Sequence, residues 1–321
     1  MLHLNCKADH QSKRLPLLPK ISVVMKRIFE FVFSFVLLSF NSISQSNGLI
    51  LKKELPKSLK EISGICYQNN NIWAISDKPH PNFFRLDPQG NVLQEVHIKN
   101  ATVSDVEAIT ADGPDLYIGD VGDNNGSRAS RTIYKVAINK IGKEAETEVT
   151  GSEIKFTFSD EGVVEGKKEN DFDCEAIVPF KDSLYLITKR RTDDQSELYV
   201  IPKTPGTYVA RLISKLDTKG LITDAAMNPS KNELALAGYE KGHEHPFVIL
   251  IKNFKSNDLF SGEVERIELT NNNKEFQMEG ITFKTSDVLY LSCEETKNNP
   301  ATIYSTRTSM LNSVFSKKSL K

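Results

Sequence analysis

The chain has 321 residues, of which 41 are Lys or Arg and 42 are Asp or Glu, and its formal net charge is −1. With 39% hydrophobic residues it is long and apolar enough to bury a globular core, which excludes a disordered chain. No basic excess is available to neutralise phosphates, so we do not expect a nucleic-acid partner. The only long apolar stretch lies near the N-terminus, which excludes a protein with several membrane spans.

The first 44 residues indicate a leader for export. Residues 25–27 form a short basic start, residues 28–40 form an apolar run, and residues 42–44 place Ser at both positions before a cleavage site. The apolar run is shorter than the roughly 20 residues of a membrane span. We therefore predict a signal peptide cleaved near Ser44, no remaining membrane span, and a periplasmic or secreted protein. Residues 1–24 suggest a start codon assigned too far upstream, with a long n-region as the alternative.

The chain beyond the leader retains 35 basic and 40 acidic residues, a net charge of −5. It also retains three cysteines, Cys66, Cys174 and Cys293. An odd number without C-x-x-C spacing indicates neither a disulfide framework nor a zinc site. We expect buried free thiols and a monomer held together by its core.

Five segments of this chain share one pattern. Each opens with a polar residue, a small residue and an apolar residue, followed about nine positions later by an apolar strand and then by a third strand. The openings are Ser63, Glu107, Glu175, Asp224 and Glu279. Second strands are expected at 72–77, 116–120, 184–189, 234–239 and 289–294, and third strands at 83–86, 133–136, 198–201, 248–251 and 303–306. Runs this short, rich in β-branched and aromatic residues, exclude helices.

Such a repeat, with openings 44–68 residues apart, is typical of the four-stranded blades of a β-propeller. Fourth strands are expected at 92–98, 154–158, 211–216 and 264–269. The last repeat lacks one, and residues 48–55 can supply it and so remove an exposed sheet edge. The prediction is an all-β propeller over residues 46–310 with five blades, or six as the alternative, followed by a polar tail over residues 311–321.

Propeller geometry brings two columns of the repeat to one channel mouth, because the start of strand one and the end of strand two lie on the same face. The inner column contains Ser63, Glu107, Glu175, Asp224 and Glu279, and the outer column contains Asp77, Asp120, Lys189, Tyr239 and Glu294. Carboxylates held this close raise one another's pKa, and a hard cation such as Ca²⁺ relieves the repulsion. The four acidic inner residues are therefore candidate metal ligands. The alternative is that they accept main-chain N–H groups or face water.

Further ligand-binding candidates lie in the loops of this mouth. The loop over residues 119–126 is rich in oxygen atoms and includes Asp120, Asp123 and Asn124. It lacks the ligand spacing of an EF-hand, and its alternative role is a tight turn. Lys189, Arg190 and Arg191 follow a second strand and can bind a phosphate or carboxylate, or can simply be solvated.

The motifs resemble a known group of proteins. They are DVEAI at 105–109 with LYIGDVGDN at 116–124, DCEAI at 173–177 with LYLITK at 184–189, and QMEGI at 277–281. Together they resemble the exported bacterial propellers of the SdiA-regulated type and the related esterase-like phytase domain. The resemblance implies a propeller and an extracytoplasmic location, and it implies no defined reaction.

We expect an exported propeller that binds a ligand or a metal ion at its acidic channel rim. The alternative is a metal-dependent phosphoesterase or esterase, in which Glu107, Glu175 and Glu279 hold Ca²⁺ or act as general base while Lys189 and Arg190 hold the substrate anion. A third hypothesis is a scaffold whose rim binds an envelope protein.

Overall fold

The computed structural model describes residues 48–161, 171–269, 276–314 and 316–319, and the predicted leader at 1–44 lies outside them. Within these ranges, none of the helices has the length and apolar character needed to cross a membrane. Helical structure is limited there to one α-helix, α1 (Thr308–Val314), and two short 3₁₀ helices, Lys57–Leu59 and Ile138–Lys140.

The described residues are organised as β-strands that follow the predicted repeat. In chain order they are β1 Ile50–Glu54, β2 Ile62–Gln68, β3 Asn71–Ser76, β4 Asn82–Leu86, β5 Val92–Ile98, β6 Val106–Asp112, β7 Asp115–Asp120, β8 Arg131–Ala137, β9 Glu146–Val149, β10 Ser152–Phe158, β11 Cys174–Phe180, β12 Ser183–Thr188, β13 Ser196–Pro202, β14 Gly206–Leu216, β15 Leu221–Met227, β16 Glu233–Glu240, β17 Glu244–Lys252, β18 Glu263–Glu268, β19 Met278–Phe283, β20 Val288–Cys293, β21 Thr302–Arg307 and β22 Ser316–Ser319.

These strands form a β-propeller, which confirms the predicted all-β fold. The described ranges contain five antiparallel four-stranded blades. Blade 1 is β2 to β5, blade 2 is β6, β7, β8 and β10, blade 3 is β11 to β14, blade 4 is β15 to β18, and blade 5 is β19, β20, β21 and β1. The innermost strands β2, β6, β11, β15 and β19 each pack against the next, and β19 packs against β2, so the ring is closed.

The ring closes through the N-terminal strand, as the sequence predicted. β1 pairs antiparallel with β21, with Ile50 opposite Ser305 and Glu54 opposite Thr302. The main-chain N–H of Leu55 donates to the carbonyl oxygen of Ala301 over 2.7 Å. The outermost strand of blade 5 therefore comes from the opposite end of the repeat region.

Additional strands extend the outer edges of other blades. β9 pairs in parallel with β5, β10 pairs in parallel with β14, and β22 pairs antiparallel with β18. The segment 311–321 was expected to be a polar tail, and the structure differs there. Leu311 is fully buried in the apolar cluster shared by blades 4 and 5, and β22 adds a strand to blade 4. Burial of this one apolar side chain anchors the middle of α1.

The core lies between neighbouring blades. Alternate apolar residues of one blade pack on those of the next, as Tyr185 and Ile187 of blade 3 do with Phe247 and Ile249 of blade 4. Burying each such side chain stabilises the fold by about 1.5–3 kcal/mol. Cys66, Cys174 and Cys293 are buried and free, as predicted.

Candidate functional site

Each innermost strand is interrupted by a bulge at the same position. The pairing with strand two shifts register between Ile62 and Gly64, Val106 and Ala108, Cys174 and Ala176, Ile222 and Asp224, and Met278 and Gly280. The extra residues are Ser63, Glu107, Glu175, Thr223 and Glu279. A bulge redirects its side chain away from the regular alternation of the strand. The fourth member of the inner column is therefore Thr223, and the prediction of Asp224 was one residue out of register.

Bulge residues with a hydroxyl group bind the next blade. Ser63 Oγ donates to the carbonyl oxygen of Val106 over 2.8 Å, and Thr223 Oγ1 donates to that of Met278 over 2.7 Å. Asp224 is buried beside Thr223, and its two carboxylate oxygens accept the N–H groups of Ala225 and Ile281, each over 2.8 Å. Asp224 thus joins blades 4 and 5, which matches the alternative role considered for the acidic residues.

The three glutamate bulges instead line a cavity of about 180 Å³ at the start of the innermost strands, here called the acidic mouth. The predicted residues Asp77, Asn124, Lys189, Tyr239 and Glu294 line it too. Its carboxylate side chains are Glu61, Asp77, Glu107, Glu175, Glu279 and Glu294, and its permanently cationic side chains are Lys189 and Arg191. Negative groups therefore outnumber positive ones in a small space.

Lys189 is the central cation of the acidic mouth. Its ammonium nitrogen lies 3.2 Å from Glu175 Oε1 and 5.4 Å from the centre of the Tyr239 ring. Burial lowers the pKa of Lys189, but Glu175, Tyr239 and Glu279 outweigh that effect and raise it well above its ordinary value. Lys189 therefore stays charged and compensates the carboxylate of Glu175.

Arg191, rather than the predicted Arg190, is the second cation of the mouth. It pairs with Asp173 and donates to Asn124 Oδ1 over 2.5 Å. Burial opposes ionisation of Asp173, but Arg191 and Lys189 bring its pKa below the ordinary value. Arg190 points away from the cavity and forms ion pairs with Asp171, Asp193 and Glu197. Strand periodicity does not fix side-chain directions in this loop, which is why the sequence did not separate the two arginines.

A second group of carboxylates forms no ion pair within the described ranges. Asp77, Asp105 and Glu107 each bring one oxygen atom within 4.8 Å of the others. Burial, Asp173 and Asp77 raise the pKa of Asp105 to about 6. Burial, Glu175 and Asp105 raise the pKa of Glu107 well above its ordinary value. The charged forms of Asp105 and Glu107 are therefore disfavoured unless a proton or a cation is bound.

The oxygen-rich loop lies behind these carboxylates. Asp120 Oδ1 accepts the N–H groups of Ser104 and Asp105 over 3.0 and 2.9 Å, and Arg128 binds the Asp120 carboxylate over 2.6 Å. Asp123 accepts the N–H of Ser127 over 2.9 Å and pairs with a guanidinium over 2.8 Å. Neither aspartate lines the acidic mouth. Both hold the loop and, through it, the main chain of Asp105.

The outer column contains a similar one-residue offset. The N–H groups of Asp77, Lys189 and Glu294 each donate to a main-chain carbonyl oxygen. In each case the acceptor belongs to the residue two positions before the bulge residue of the same blade. In blade 2 Val121 donates this bond, to Asp105, so Val121 is the equivalent residue. Asp120 precedes it and points to the other face of the strand.

Other groups complete the mouth. Burial, Glu279, Asp77 and Glu61 raise the pKa of Glu294 to about 8. His243 Nδ1 lies 2.8 Å from Gln277 Oε1, and its ring centre lies 5.0 Å from that of Tyr239. The sequence analysis missed Glu61 and Gln277 of the mouth and the adjacent Asp105 and Asp173. A usable signal was present for Asp105 and Asp173, since both stand two residues before a bulge glutamate in an Asp-x-Glu pattern.

The described residues therefore form a β-propeller with an acidic cavity at one end of its innermost strands. Residues 42–148 match the family model described as SdiA-regulated, which confirms the resemblance over that segment. Curated protein sequences contain no match to the chain.

Three solved structures illustrate the structural likeness. The PQQ-bound aldose sugar dehydrogenase of Streptomyces coelicolor is 11% identical, with 81% of this chain and 97% of that chain covered and a TM-score of 0.46. A protein of unknown function from Bacteroides caccae is 10% identical, with 79% and 84% covered and a TM-score of 0.42. The Dos1 propeller is 14% identical, with 72% and 52% covered and a TM-score of 0.36. These TM-scores are too low to support an argument. The assignment of this chain as a propeller therefore rests on its own sheets.

Proposed function

We propose that a divalent cation, Ca²⁺ in the first instance, binds at the edge of the acidic mouth through Asp77 and Glu107, which line the mouth, and through the adjacent Asp105. The observation that carries this proposal is the convergence of their three carboxylate oxygens within 4.8 Å. None of the ion pairs formed within the described ranges involves these three residues, whereas Glu175 and Asp173 are paired with Lys189 and Arg191. A cation between the three would remove a repulsion that the protein itself leaves in place.

Calcium suits this arrangement because it takes six to eight oxygen ligands in flexible geometry. Three carboxylates supply only some of these ligands. The cavity of about 180 Å³ is polar and large enough to hold water, so water can complete the shell. Extracellular Ca²⁺ sites have dissociation constants of about 10⁻⁴–10⁻³ M. An extracytoplasmic location, which is part of this proposal, would supply the ion at such concentrations.

Thermal unfolding with Ca²⁺ and with a chelator tests the proposal. We expect Ca²⁺ to stabilise the parent protein by about 2.7 kcal/mol at a hundredfold excess over its dissociation constant. Glu107→Gln keeps the shape of the side chain and removes one ligand charge, so it should weaken this stabilisation while leaving the chelated protein at least as stable as the parent.

The matched control is Asp112→Asn, which removes one carboxylate from the far end of the same strand, β6. It should keep the full response to Ca²⁺. An identical response of all three proteins would show that bound Ca²⁺ does not depend on Glu107, and equal melting of the parent with and without Ca²⁺ would remove the ion from the proposal.

The hydrolase hypothesis has less support from the same geometry. Holding a substrate anion needs cations that are free to meet it. Lys189 and Arg191 are already matched by Glu175 and Asp173. The acidic mouth therefore favours cation binding over anion binding, and catalysis stays a prediction without a supporting observation.

A further inference from the structure

A second cavity, of about 510 Å³, lies at the opposite end of the innermost strands and is here called the wide mouth. Its volume falls in the range of about 300–1,000 Å³ that is usual for small-molecule sites. About half of its wall is apolar, and that half includes Tyr67, Ile109, Met227 and Phe283 from four of the innermost strands. The wide mouth can therefore enclose the apolar body of a small molecule.

Most polar side chains of the wide mouth already have partners in the protein. Gln68 Nε2 donates to the carbonyl oxygen of Gly113, and Asn228 Nδ2 donates to Glu233 over 2.8 Å. The carboxylate of Asp112 pairs with Lys203 over 2.5 Å. These side chains therefore do not need a hydrogen bond or an ion pair from a ligand.

Lys284 is the cation of this cavity. It is partly buried at the wide mouth, and within the described ranges it forms no ion pair. Its ammonium nitrogen lies 5.5 Å from the centre of the Tyr290 ring. Tyr290 outweighs the effect of burial and raises the pKa of Lys284 above its ordinary value, so the side chain stays cationic. A partly apolar cavity with one cation that forms no ion pair is complementary to a largely apolar molecule with one negative charge.

We propose that the wide mouth binds a small apolar monoanion, with its hydrocarbon body against Ile109, Met227 and Phe283 and its acidic head on Lys284. A medium-chain carboxylate and an aromatic sulfonate share this chemistry. The single cation argues against a polyanion, and the pairing of Asp112 with Lys203 argues against a cationic ligand. This inference is independent of the cation proposed for the acidic mouth.

Fluorescence titration with 1-anilinonaphthalene-8-sulfonate, itself an apolar monoanion, tests the proposal on the full chain. A chelator is present throughout, so that the acidic mouth does not contribute. We expect one binding site from which decanoate displaces the probe. Decyltrimethylammonium, with the same chain and the opposite charge, should not displace it. Displacement by both compounds, or by neither, would overturn the proposal.

Two variants locate the site. Lys284→Met keeps the apolar stem and removes the charge, and it should weaken probe binding by about tenfold or more, as expected for the loss of a charge-assisted hydrogen bond. The matched control is Lys231→Met, which removes a lysine that donates to the carbonyl oxygen of Ser286 over 2.9 Å and does not line the cavity. It should leave the affinity within about twofold, a difference too small for a lost charge-assisted bond. Equal weakening by both changes would mean that the probe responds only to overall charge.

Met227→Trp then tests the body of the site by filling it. A folded variant should lose probe binding, and unchanged binding would place the probe elsewhere on the protein and overturn the proposal. If this variant does not fold, Lys284→Met and its control still decide the question, because Lys284 is only partly buried and has no ionic partner to lose.

Discussion

The two mouths of the propeller are built from the same strands and differ in almost every chemical respect. The acidic mouth is a cavity of about 180 Å³ in which carboxylates outnumber cations, and both cations are paired. The wide mouth is a cavity of about 510 Å³ whose walls are about half apolar, and its one cation, Lys284, forms no ion pair within the described ranges. The comparison shows that position along the strand, rather than identity of the blade, decides the chemistry of this protein.

The bulge marks the change from one chemistry to the other. Side chains at the bulge and two positions before it are mostly polar or acidic. Two positions after it stand apolar residues that are almost fully buried, such as Ile65, Ile109, Ile177 and Ile281. This apolar layer lies between the mouths and removes water from the base of the acidic one. Loss of water raises the pKa of Glu107 and Glu175 and makes compensating charges necessary.

The largest expected effect comes from removing a lysine at each mouth. Lys189→Met leaves the buried carboxylate of Glu175 without its partner and should lower the free energy of unfolding by about 3–5 kcal/mol. Lys284→Met breaks no ion pair and should cost only about 0–1 kcal/mol. Denaturant unfolding of both variants measures the difference. Adding Glu175→Gln to Lys189→Met should recover part of the loss, and equal losses for the two single changes would contradict this account.

A smaller effect is expected from adding one methyl group at each mouth. A Cβ atom at Gly122 would lie 2.6 Å from atoms of Asp105 and Glu107, so Gly122→Ala should cost about 1–3 kcal/mol and weaken stabilisation by Ca²⁺. A Cβ atom at Gly113 would meet nothing within 4 Å, although its φ of +55° strains an alanine. Gly113→Ala should therefore lose some stability and keep the Ca²⁺ response. Melts with and without Ca²⁺ separate the two, and an unchanged Ca²⁺ response in Gly122→Ala would contradict the proposed ligand set.

The smallest expected effect is a change of stability with pH. This change should depend on Glu294 at the acidic mouth and not on Lys284 at the wide mouth. Glu294 has a pKa of about 8 in the folded protein, against about 4.3 in an unfolded chain, so the folded state binds the extra proton between these values. In chelator, the stability of the parent should therefore fall as pH rises from about 5 to about 9. Glu294→Gln should flatten this fall, by a modest amount because water screens the half-buried group. Lys284→Met should follow the parent, and parallel curves for parent and Glu294→Gln would refute the assignment.

Much of the architecture was accessible from the sequence because strand patterns repeat. All four predicted fourth strands and the closing strand correspond to observed strands, since each is a short run of β-branched and apolar residues between turns. The columns of site residues were less accurate. Placing a side chain at a bulge requires the register against the neighbouring strand, which periodicity alone does not contain. Alignment on the acidic residue therefore selected Asp224 in place of Thr223 and Asp120 in place of Val121.

The pairing of β1 with β21 also constrains the order in which the chain can fold. Ile50 pairs with Ser305, so blade 5 is complete only when the two ends of the repeat region have met, and we expect a contact of such long sequence separation to form slowly. Until then β1 exposes two apolar side chains, Ile50 and Leu51, which are still 49% and 56% accessible in the finished ring. Lys52 and Lys53 follow them directly, and lysines on an edge strand discourage pairing with other molecules. We therefore expect the two lysines to limit aggregation through β1 before that strand has paired with β21.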